Sequence, residues 1–287
     1  MPAIRAGRTR SRARGRLFEA ALFLAAALAL AFLVLPVAAI FLRIPPGDLV
    51  SQLGNQAARE ALVVSLKTNL LAEAIILLVG TPAAYLIATK RFPLRSLAIT
   101  LVELPLVLPP AVAGIGLLAA FGRFGLLGGE LEAIGLSIGF TQAAVVLAVL
   151  LVASPFYLRQ AIATFEALDE SLLDAARTLG ASPARTFFRV ALPLAAGGLG
   201  AGAALAFARG IGEFGATIMF AGSLQGVTQT LPLAIYEQFD VSFDVSLALG
   251  ALLVVLSAAV LLAFKLVPGW ARSSSTSPFL SARSVSS

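Results

Sequence analysis

Long apolar runs separated by short polar segments make up most of this sequence. A helix needs about 20 mainly apolar residues to cross the hydrocarbon core of a bilayer, which is about 30 Å thick. Several runs reach that length. The pattern therefore predicts six membrane-spanning helices, at residues 17–42, 63–88, 97–121, 140–160, 194–221 and 245–267.

The composition is that of a membrane protein, with 59% hydrophobic and 13% charged residues among 287. We therefore expect an all-α integral membrane protein with one multispanning domain. The chain has no cysteine and no histidine. This excludes a disulfide framework, a thiol nucleophile and the common zinc sites, and we expect no cofactor or metal bound by this chain.

The positions of the basic residues relative to the predicted spans indicate how the chain is oriented in the membrane. Nucleic-acid binding is one reading of the calculated pI near 10.5, but most positive charges lie at the ends of apolar runs, where they orient a membrane protein. If the N-terminus is cytoplasmic, the outer segments hold only Arg43, Arg59, Lys67 and Arg123, and Arg209 lies within a span. All other basic residues then lie inside, so we predict that both termini are cytoplasmic and that nucleic acid is not a partner.

The two ends of the chain differ from the middle. Residues 1–16 form a basic cytoplasmic tail, and the run that follows is too long for a cleaved signal peptide, so we interpret 17–59 as an extra membrane helix and an external loop. Residues 60–268 form the main transmembrane domain. The serine-rich stretch 269–287 has too little apolar content to fold and is expected to be a disordered cytoplasmic tail.

A polar segment between the fourth and fifth spans predicts two short helices joined by a turn. Apolar residues from Leu168 to Leu179 recur near helical spacing, with acidic residues toward the N-terminal side. Gly180 is expected to end this helix, and Ser182 followed by Pro183 to begin the next. Such a segment cannot lie in lipid, so we place this helix-turn-helix in the cytoplasm.

This segment resembles the coupling segment of ABC-importer permeases. The family pattern is Glu-Ala-Ala, three residues, Gly, nine residues, Ile, one residue and Leu-Pro, and it fits here without insertion. The matching residues are Asp174, Ala175, Ala176, Gly180, Val190, Leu192 and Pro193, with Asp for Glu and Val for Ile. The resemblance implies docking into a cleft on a cytoplasmic ATPase subunit. The alternative is an ordinary amphipathic helix on the membrane surface.

Three further stretches resemble the molybdate branch of that family. They are AFARGIGEFGATIMFAG at Ala206–Gly222, TQTLPLAIY at Thr228–Tyr236 and ELPLVLPPAVAG at Glu103–Gly114. Sulfate and tungstate permeases share much of this vocabulary, so tungstate and sulfate or thiosulfate stay open as substrates. The resemblance covers about residues 60–268 and implies a permease subunit of a binding-protein-dependent molybdate importer in a prokaryotic inner membrane.

The same resemblance implies the partners. They are a second copy of the permease, cytoplasmic ABC ATPase subunits that hold ATP and Mg, and an external oxyanion-binding protein. The chain itself has no GxxxxGK[ST] pattern, so we expect that it is not an enzyme. An ion-coupled secondary carrier and a non-transporting scaffold are the other classes considered, but neither accounts for the polar loop with its glycine and proline spacing.

The fifth predicted span contains two charged residues, Arg209 and Glu213, one helical turn apart. Each ionised side chain costs roughly 2.5–3.5 kcal/mol near the centre of a span, so both are expected to face protein or water. Two readings stay open: Arg209 lines the path of the anion, or the two residues form a structural pair. Gly212 and Gly215 permit close helix approach, at a gate or in ordinary packing.

Pro109 and Pro110 lie in the middle of the third predicted span. Proline removes a backbone donor and clashes with the preceding turn, so the helix should bend or partly unwind there. The bend either lines the translocation path or is a packing kink.

Neither Glu73 nor Glu103 has an evident basic partner in the sequence, and neither is assigned a role.

Overall fold

The computed structural model describes residues 3–45, 47, 51 and 54–266, and within that part of the chain the regular structure is helical. We number the helices α1 to α12 in chain order. They are α1 Ala3–Arg43, α2 Gln56–Thr89, α3 Arg95–Val107, α4 Pro110–Phe121, α5 Gly128–Ala133, α6 Gln142–Glu166, α7 Glu170–Thr178, α8 Pro183–Thr186, α9 Leu192–Ile211, α10 Gly215–Ala221, α11 Leu231–Phe239 and α12 Phe243–Leu266. A π-helical segment, Phe187–Ala191, joins α8 to α9.

Five stretches of the described chain are long and apolar enough to cross a membrane. They are Leu17–Arg43, Gln56–Thr89, Gln142–Glu166, Pro183–Ile211 and Phe243–Ala263. Helices α3 and α4 meet at a bend of 114°. If this bent pair counts as one broken span, the number of crossings is six. The predicted all-α membrane fold is confirmed, and the bend falls at Leu108 and Pro109, between the two helices, where the prolines predict it.

Helix α1 lies largely outside the bundle. It begins at Ala3, so its backbone is helical through most of the predicted basic tail, and the residues from Leu17 to Leu35 are all exposed. Near its C-terminal end, Ile40 and Ile44 pack against Ala248 and Ala251 of α12. The predicted tail at 269–287 lies outside the described residues, and the proposed domain boundaries stay predictions.

The core of the bundle is the meeting of α2, α6 and α9. Tyr157 of α6 is 1% exposed, and its hydroxyl lies 2.5 Å from the hydroxyl of Thr81 in α2. A Cβ at Gly80 or Gly202 would lie 3.1 Å or 3.2 Å from the ring of Tyr157. Glycine on both neighbouring helices therefore makes room for this buried aromatic side chain, as is common where helices pack in membranes.

The predicted fifth span at 194–221 is wrong as one continuous helix. Helix α9 ends at Ile211 with Gly212 as its C-cap, and a new helix, α10, begins at Gly215. Gly212 lacks the side chain that would favour continued helix, and the side chain of Glu213 accepts a hydrogen bond from the backbone of α10. Residues 212–214 thus form a break between two helices rather than a turn of one continuous helix.

Candidate coupling and translocation sites

The segment after α6 folds as two short helices joined at a tight turn. The carboxylate of Asp169 accepts a hydrogen bond from the backbone N–H of Ser171 at 2.9 Å and caps α7. Hydrogen bonds from the side chain and backbone of Ser171 lower the pKa of Asp169. Gly180 has a φ of +82°, a conformation that glycine adopts without strain. Ser182 then caps α8 by accepting from Arg185 N at 3.3 Å, with Pro183 as first residue. We call Asp169–Thr186 the elbow.

Six of the seven residues of the coupling pattern divide into an exposed group and an anchored group, and the seventh, Pro193, is exposed at the second position of α9. Asp174, Ala175 and Gly180 are exposed, and Ala176 is half-buried. Val190 and Leu192 instead pack against the main core, as does Leu173, which is 4% exposed. One side of the elbow is therefore free for a partner, while the other is held by the bundle.

Aromatic packing fixes Phe187, the residue that directly follows the elbow, to the membrane helices. The ring centroid of Phe187 lies 4.8 Å from that of Tyr85 in α2 and 6.5 Å from that of Phe165 in α6. From Pro183 to Ile211 the chain is one unbroken helical stretch, which includes the π-helical segment. A displacement of the elbow would therefore act directly on α9.

The π-helical segment is a feature that the sequence analysis did not predict. Pro193 has no N–H, and its ring would clash in a regular helix with the carbonyl of Arg189, so the turn before it widens. Pro193 was the available signal, because a proline inside a helical pattern marks a disturbed turn about four residues earlier.

Helix α7, the first helix of the elbow, lies beside an ion pair between Arg95 of α3 and Glu166 of α6. Arg95 also donates from Nε to the carbonyl of Ile87 at 2.8 Å. The cleft next to this pair is lined by residues from the α2–α3 connection and from α7, including Lys90, Arg91 and Asp174. The elbow thus lines one cleft together with the adjacent ends of α2, α3 and α6.

The second candidate site is the break between α9 and α10. Arg209 Nη2 lies 2.6 Å from Glu213 Oε2, and the side chain of Glu213 is 1% exposed whereas that of Arg209 is 28% exposed. The other carboxylate oxygen of Glu213 accepts from Ala216 N at 2.8 Å. Glu213 therefore joins the end of α9 to the start of α10, and Arg209 balances its buried charge.

Polar side chains of α2 bind backbone groups near this break and at the start of α11. Asn69 donates from Nδ2 to the carbonyl of Phe207 at 3.2 Å, and Ser65 Oγ accepts from Leu231 N, the first residue of α11, at 2.7 Å. A Cβ at Gly210 would collide with the amide of Asn69 and lie 2.9 Å from Val149 Cγ1. These contacts satisfy backbone groups at two helix ends inside the membrane domain, as a broken helix requires.

The structure brings Pro110 of the third predicted span next to Gly215 of the fifth. Pro109 is the N-cap of α4 and Pro110 its first residue. A Cβ at Gly215 would lie 2.9 Å from Pro110 Cβ, and a Cβ at Gly114 would lie 2.6 Å from the carbonyl oxygen of Ala216. Helices α4 and α10 therefore cross with their backbones in contact. Gly212 makes no such approach, since its nearest neighbour is an oxygen of its own helix 3.9 Å away.

Glu103 has a partner that is not evident in the sequence. Arg159 of α6 lies 3.3 Å from its carboxylate, and the two residues are 56 positions apart in the chain, so only helix packing brings them together. Glu73 is buried, and among the described residues its Oε1 has no hydrogen-bond partner. The same holds for the hydroxyls of Thr217 and Thr230.

Comparison with known proteins places this arrangement in a family. Residues 77–270 match the family model for the binding-protein-dependent transport system inner membrane component. The chain is 43% identical over 240 residues to the molybdenum transport system permease protein ModB of Mycobacterium bovis, covering 84% of this chain and 91% of that protein. It is 36% identical to the sulfate transport system permease protein CysW of Synechococcus elongatus, covering 72% and 74% of the two chains.

Solved structures share the fold. A bacterial alginate ABC transporter, crystallised in complex with an alginate pentasaccharide-bound periplasmic protein, matches with a TM-score of 0.71 at 16% identity, over 89% of this chain and 95% of that one. An inward-facing MetNI methionine ABC transporter matches with a TM-score of 0.57 at 20% identity, over 71% and 91%. The chain therefore belongs to the inner-membrane permease components of binding-protein-dependent ABC transport systems, a family of transport subunits rather than enzymes.

Proposed function

We propose that this chain is the membrane-spanning subunit of an ATP-driven molybdate importer. The observation that carries the proposal is the continuous helical stretch that connects the exposed elbow to the fifth span. The chain that contains it is 43% identical to a molybdenum permease over most of its length. In this proposal the bent pair α3 and α4 counts as one span, which gives six crossings, with the elbow and both termini in the cytoplasm.

The partners follow from the same reading. Two copies of the chain pair around a central path, two cytoplasmic ATPase subunits dock on the elbows, and an external binding protein delivers the anion. ATP and Mg are held by the ATPase subunits and not by this chain, which has no P-loop pattern. The solved alginate transporter in complex with a periplasmic protein supports partners of this kind.

The mechanism is a transfer of displacement from the elbow to the helix break. Closure of the ATPase pair on ATP moves the exposed residues Asp174, Ala175 and Gly180, and the helical stretch from Pro183 to Ile211 carries that movement to Arg209. Because α10 contacts α4 backbone to backbone, a shift there changes the crossing next to Pro109 and Pro110. ATP binding drives transport only because docking is tighter in one conformation than in the other.

Within this path, Arg209 is the candidate contact for the anion. Its guanidinium is partly exposed, while Glu213 is buried beneath it and holds its orientation. One positive charge that is already paired gives a weak site, which suits a conduit because a tightly bound anion would leave slowly. Gly212, Gly215, Pro109 and Pro110 shape the break around it.

The test is uptake by the reconstituted complex. Vesicles that contain the chain, its ATPase and its binding protein are supplied with molybdate, tungstate or sulfate, with and without ATP inside. We expect ATP-dependent uptake of molybdate. Uptake of sulfate alone would transfer the assignment to the sulfate branch, for which the 36% identity to a sulfate permease is the supporting observation. Uptake that persists without ATP and stops when the proton gradient is removed would contradict an ATP-driven permease.

A further inference from the structure

A cleft at the end of α2 far from the elbow collects two basic side chains. Arg59 and Lys67 both line it, together with Gln56, Glu60, Val63 and Gln142, and its volume is about 430 Å³. Arg59, Val63 and Lys67 follow one another at steps of four residues, so they lie along one face of the helix. We call this cleft the basic vestibule.

The carboxylate in the basic vestibule is already engaged. Glu60 accepts hydrogen bonds from Gln56 Nε2 at 2.7 Å and from Gln225 Nε2 at 3.1 Å. No carboxylate among the described residues lies within 4.0 Å of the charged groups of Arg59 or Lys67. The vestibule therefore has two cations and one carboxylate, and neither cation is neutralised by direct contact.

The two cations are differently held. Lys67 donates from Nζ to Gln142 Oε1 at 2.8 Å, which directs the ammonium toward the start of α6 and leaves two of its three donors for a ligand. The side chain of Arg59 is exposed and has no hydrogen bond or ion pair to any described residue, while its backbone N–H donates to Asn55 within the helix. Its planar fork of donors is suited to two oxygens of one anion.

We propose that the basic vestibule binds a tetrahedral oxyanion on the external face of the protein, with Arg59 and Lys67 as the ligands. Arg59 would grip two oxygens while Lys67 balances the second negative charge. Charge of one sign at the mouth of a cleft raises the local concentration of an oppositely charged ligand and the rate at which it arrives. Placing this face outside the cell rests on the proposed function, which puts the elbow in the cytoplasm. Arg59 and Lys90 lie near opposite ends of α2, roughly 45 Å apart at 1.5 Å per residue.

The same chemistry has two possible sources in a membrane. One is the oxyanion released at the mouth of the vestibule by the external binding protein, and the other is the phosphate of a lipid headgroup in the outer leaflet. Val63 is 61% exposed and Leu70 56% exposed on the same helix, so apolar surface continues from the vestibule toward the middle of the membrane. The experiment therefore has one arm for each source.

The test compares the wild-type chain with the double variant Arg59→Gln and Lys67→Gln, each reconstituted with its ATPase and its binding protein. In vesicles of neutral phosphatidylcholine, the first arm measures initial molybdate uptake against concentration. We expect kcat/KM to fall by roughly 10-fold, the low end of electrostatic steering, and the difference to shrink at high salt. The second arm measures, by native mass spectrometry, how much added phosphatidylglycerol stays bound to each purified complex, and the variant should retain less if the ligand is a headgroup.

Arg123→Gln is the matched control. Arg123 is also predicted to be external, but it pairs with Glu132 at 3.0 Å and lies outside the vestibule, so both readouts should stay at wild-type levels. A change in either arm that the control lacks supports the oxyanion site and identifies its source. Wild-type behaviour of the double variant in both arms would overturn the inference. A wild-type complex without molybdate uptake would instead reject the proposed function, and the lipid arm would still test the vestibule.

Discussion

Arg209 and Glu213 form an ion pair in which only Arg209 is partly exposed. The buried carboxylate also holds the N-terminus of α10 through Ala216 N, so the pair has a structural role whether or not it meets the anion. Breaking a buried pair costs about 3–5 kcal/mol because one charge is left without compensation, and the partial exposure of Arg209 lowers that cost. Stability alone therefore cannot separate the two roles.

A pair of substitutions does separate them. Arg209→Met should lower both the unfolding temperature and the stimulation of ATPase activity by loaded binding protein. Arg209→Met combined with Glu213→Gln removes both charges while keeping an acceptor for Ala216 N, so the unfolding temperature should recover. If Arg209 contacts the anion, molybdate uptake by the double variant stays low. Full recovery of uptake together with stability would leave Arg209 a packing role only.

At the scale of single elements, the turn of the elbow depends on a left-handed residue at position 180. Gly180→Val places a β-branched side chain at a φ of +82°, where left-handed backbone costs roughly 1–2 kcal/mol even before branching is considered. Because the residue is exposed and its Cβ would meet no other atom within 4 Å, the membrane bundle should stay intact while the elbow changes shape.

We therefore expect Gly180→Val to insert normally and to lose association with the ATPase, measured by co-purification. Gly180→Asn is the control, since asparagine adopts left-handed backbone more readily than other side chains, and it should retain much of the association. Normal co-purification of the valine variant would count against docking through the elbow.

The crossing of α4 and α10 allows a comparison of two glycines on one helix. A Cβ at Gly114 would lie 2.6 Å from the carbonyl oxygen of Ala216, whereas a Cβ at Gly116 would meet nothing within 4 Å. Gly114→Ala should therefore force the helices apart and destabilise the protein by about 1–3 kcal/mol, while Gly116→Ala should be neutral or slightly stabilising. Thermal unfolding in detergent measures both. Equal unfolding temperatures would mean that the two backbones are not in contact in the protein.

For the molecule as a whole, the absence of native cysteine allows its orientation to be read with single introduced thiols. Ala175→Cys reports on the exposed elbow, and Phe124→Cys reports on a residue that is 99% exposed in the connection after α4. A membrane-impermeant maleimide should label Phe124→Cys in intact cells and Ala175→Cys only in inside-out vesicles. Labelling of Ala175→Cys from outside would invert the topology and remove the basis for coupling to a cytoplasmic ATPase.

The sequence by itself determined the class of fold and the form of the elbow. Both depend on local or one-dimensional information, namely the length of apolar runs, the capping residues Asp169 and Ser182, and glycine at a left-handed position. The bend at Pro109 was predictable for the same reason, because proline disturbs the helix that contains it.

Only the tertiary structure decided how the fifth span is divided and what surrounds the division. The carboxylate of Glu213 holds the start of α10, Asn69 reaches the break from another helix, and Gly114 meets α10 at its backbone. Pairings such as Glu103 with Arg159 and the grouping of Arg59 with Lys67 and Gln142 also appear only after packing. In a membrane the apolar runs define where helices form, but lipid does not choose between helix neighbours. That choice depends on small residues and hydrogen bonds between segments distant in the chain.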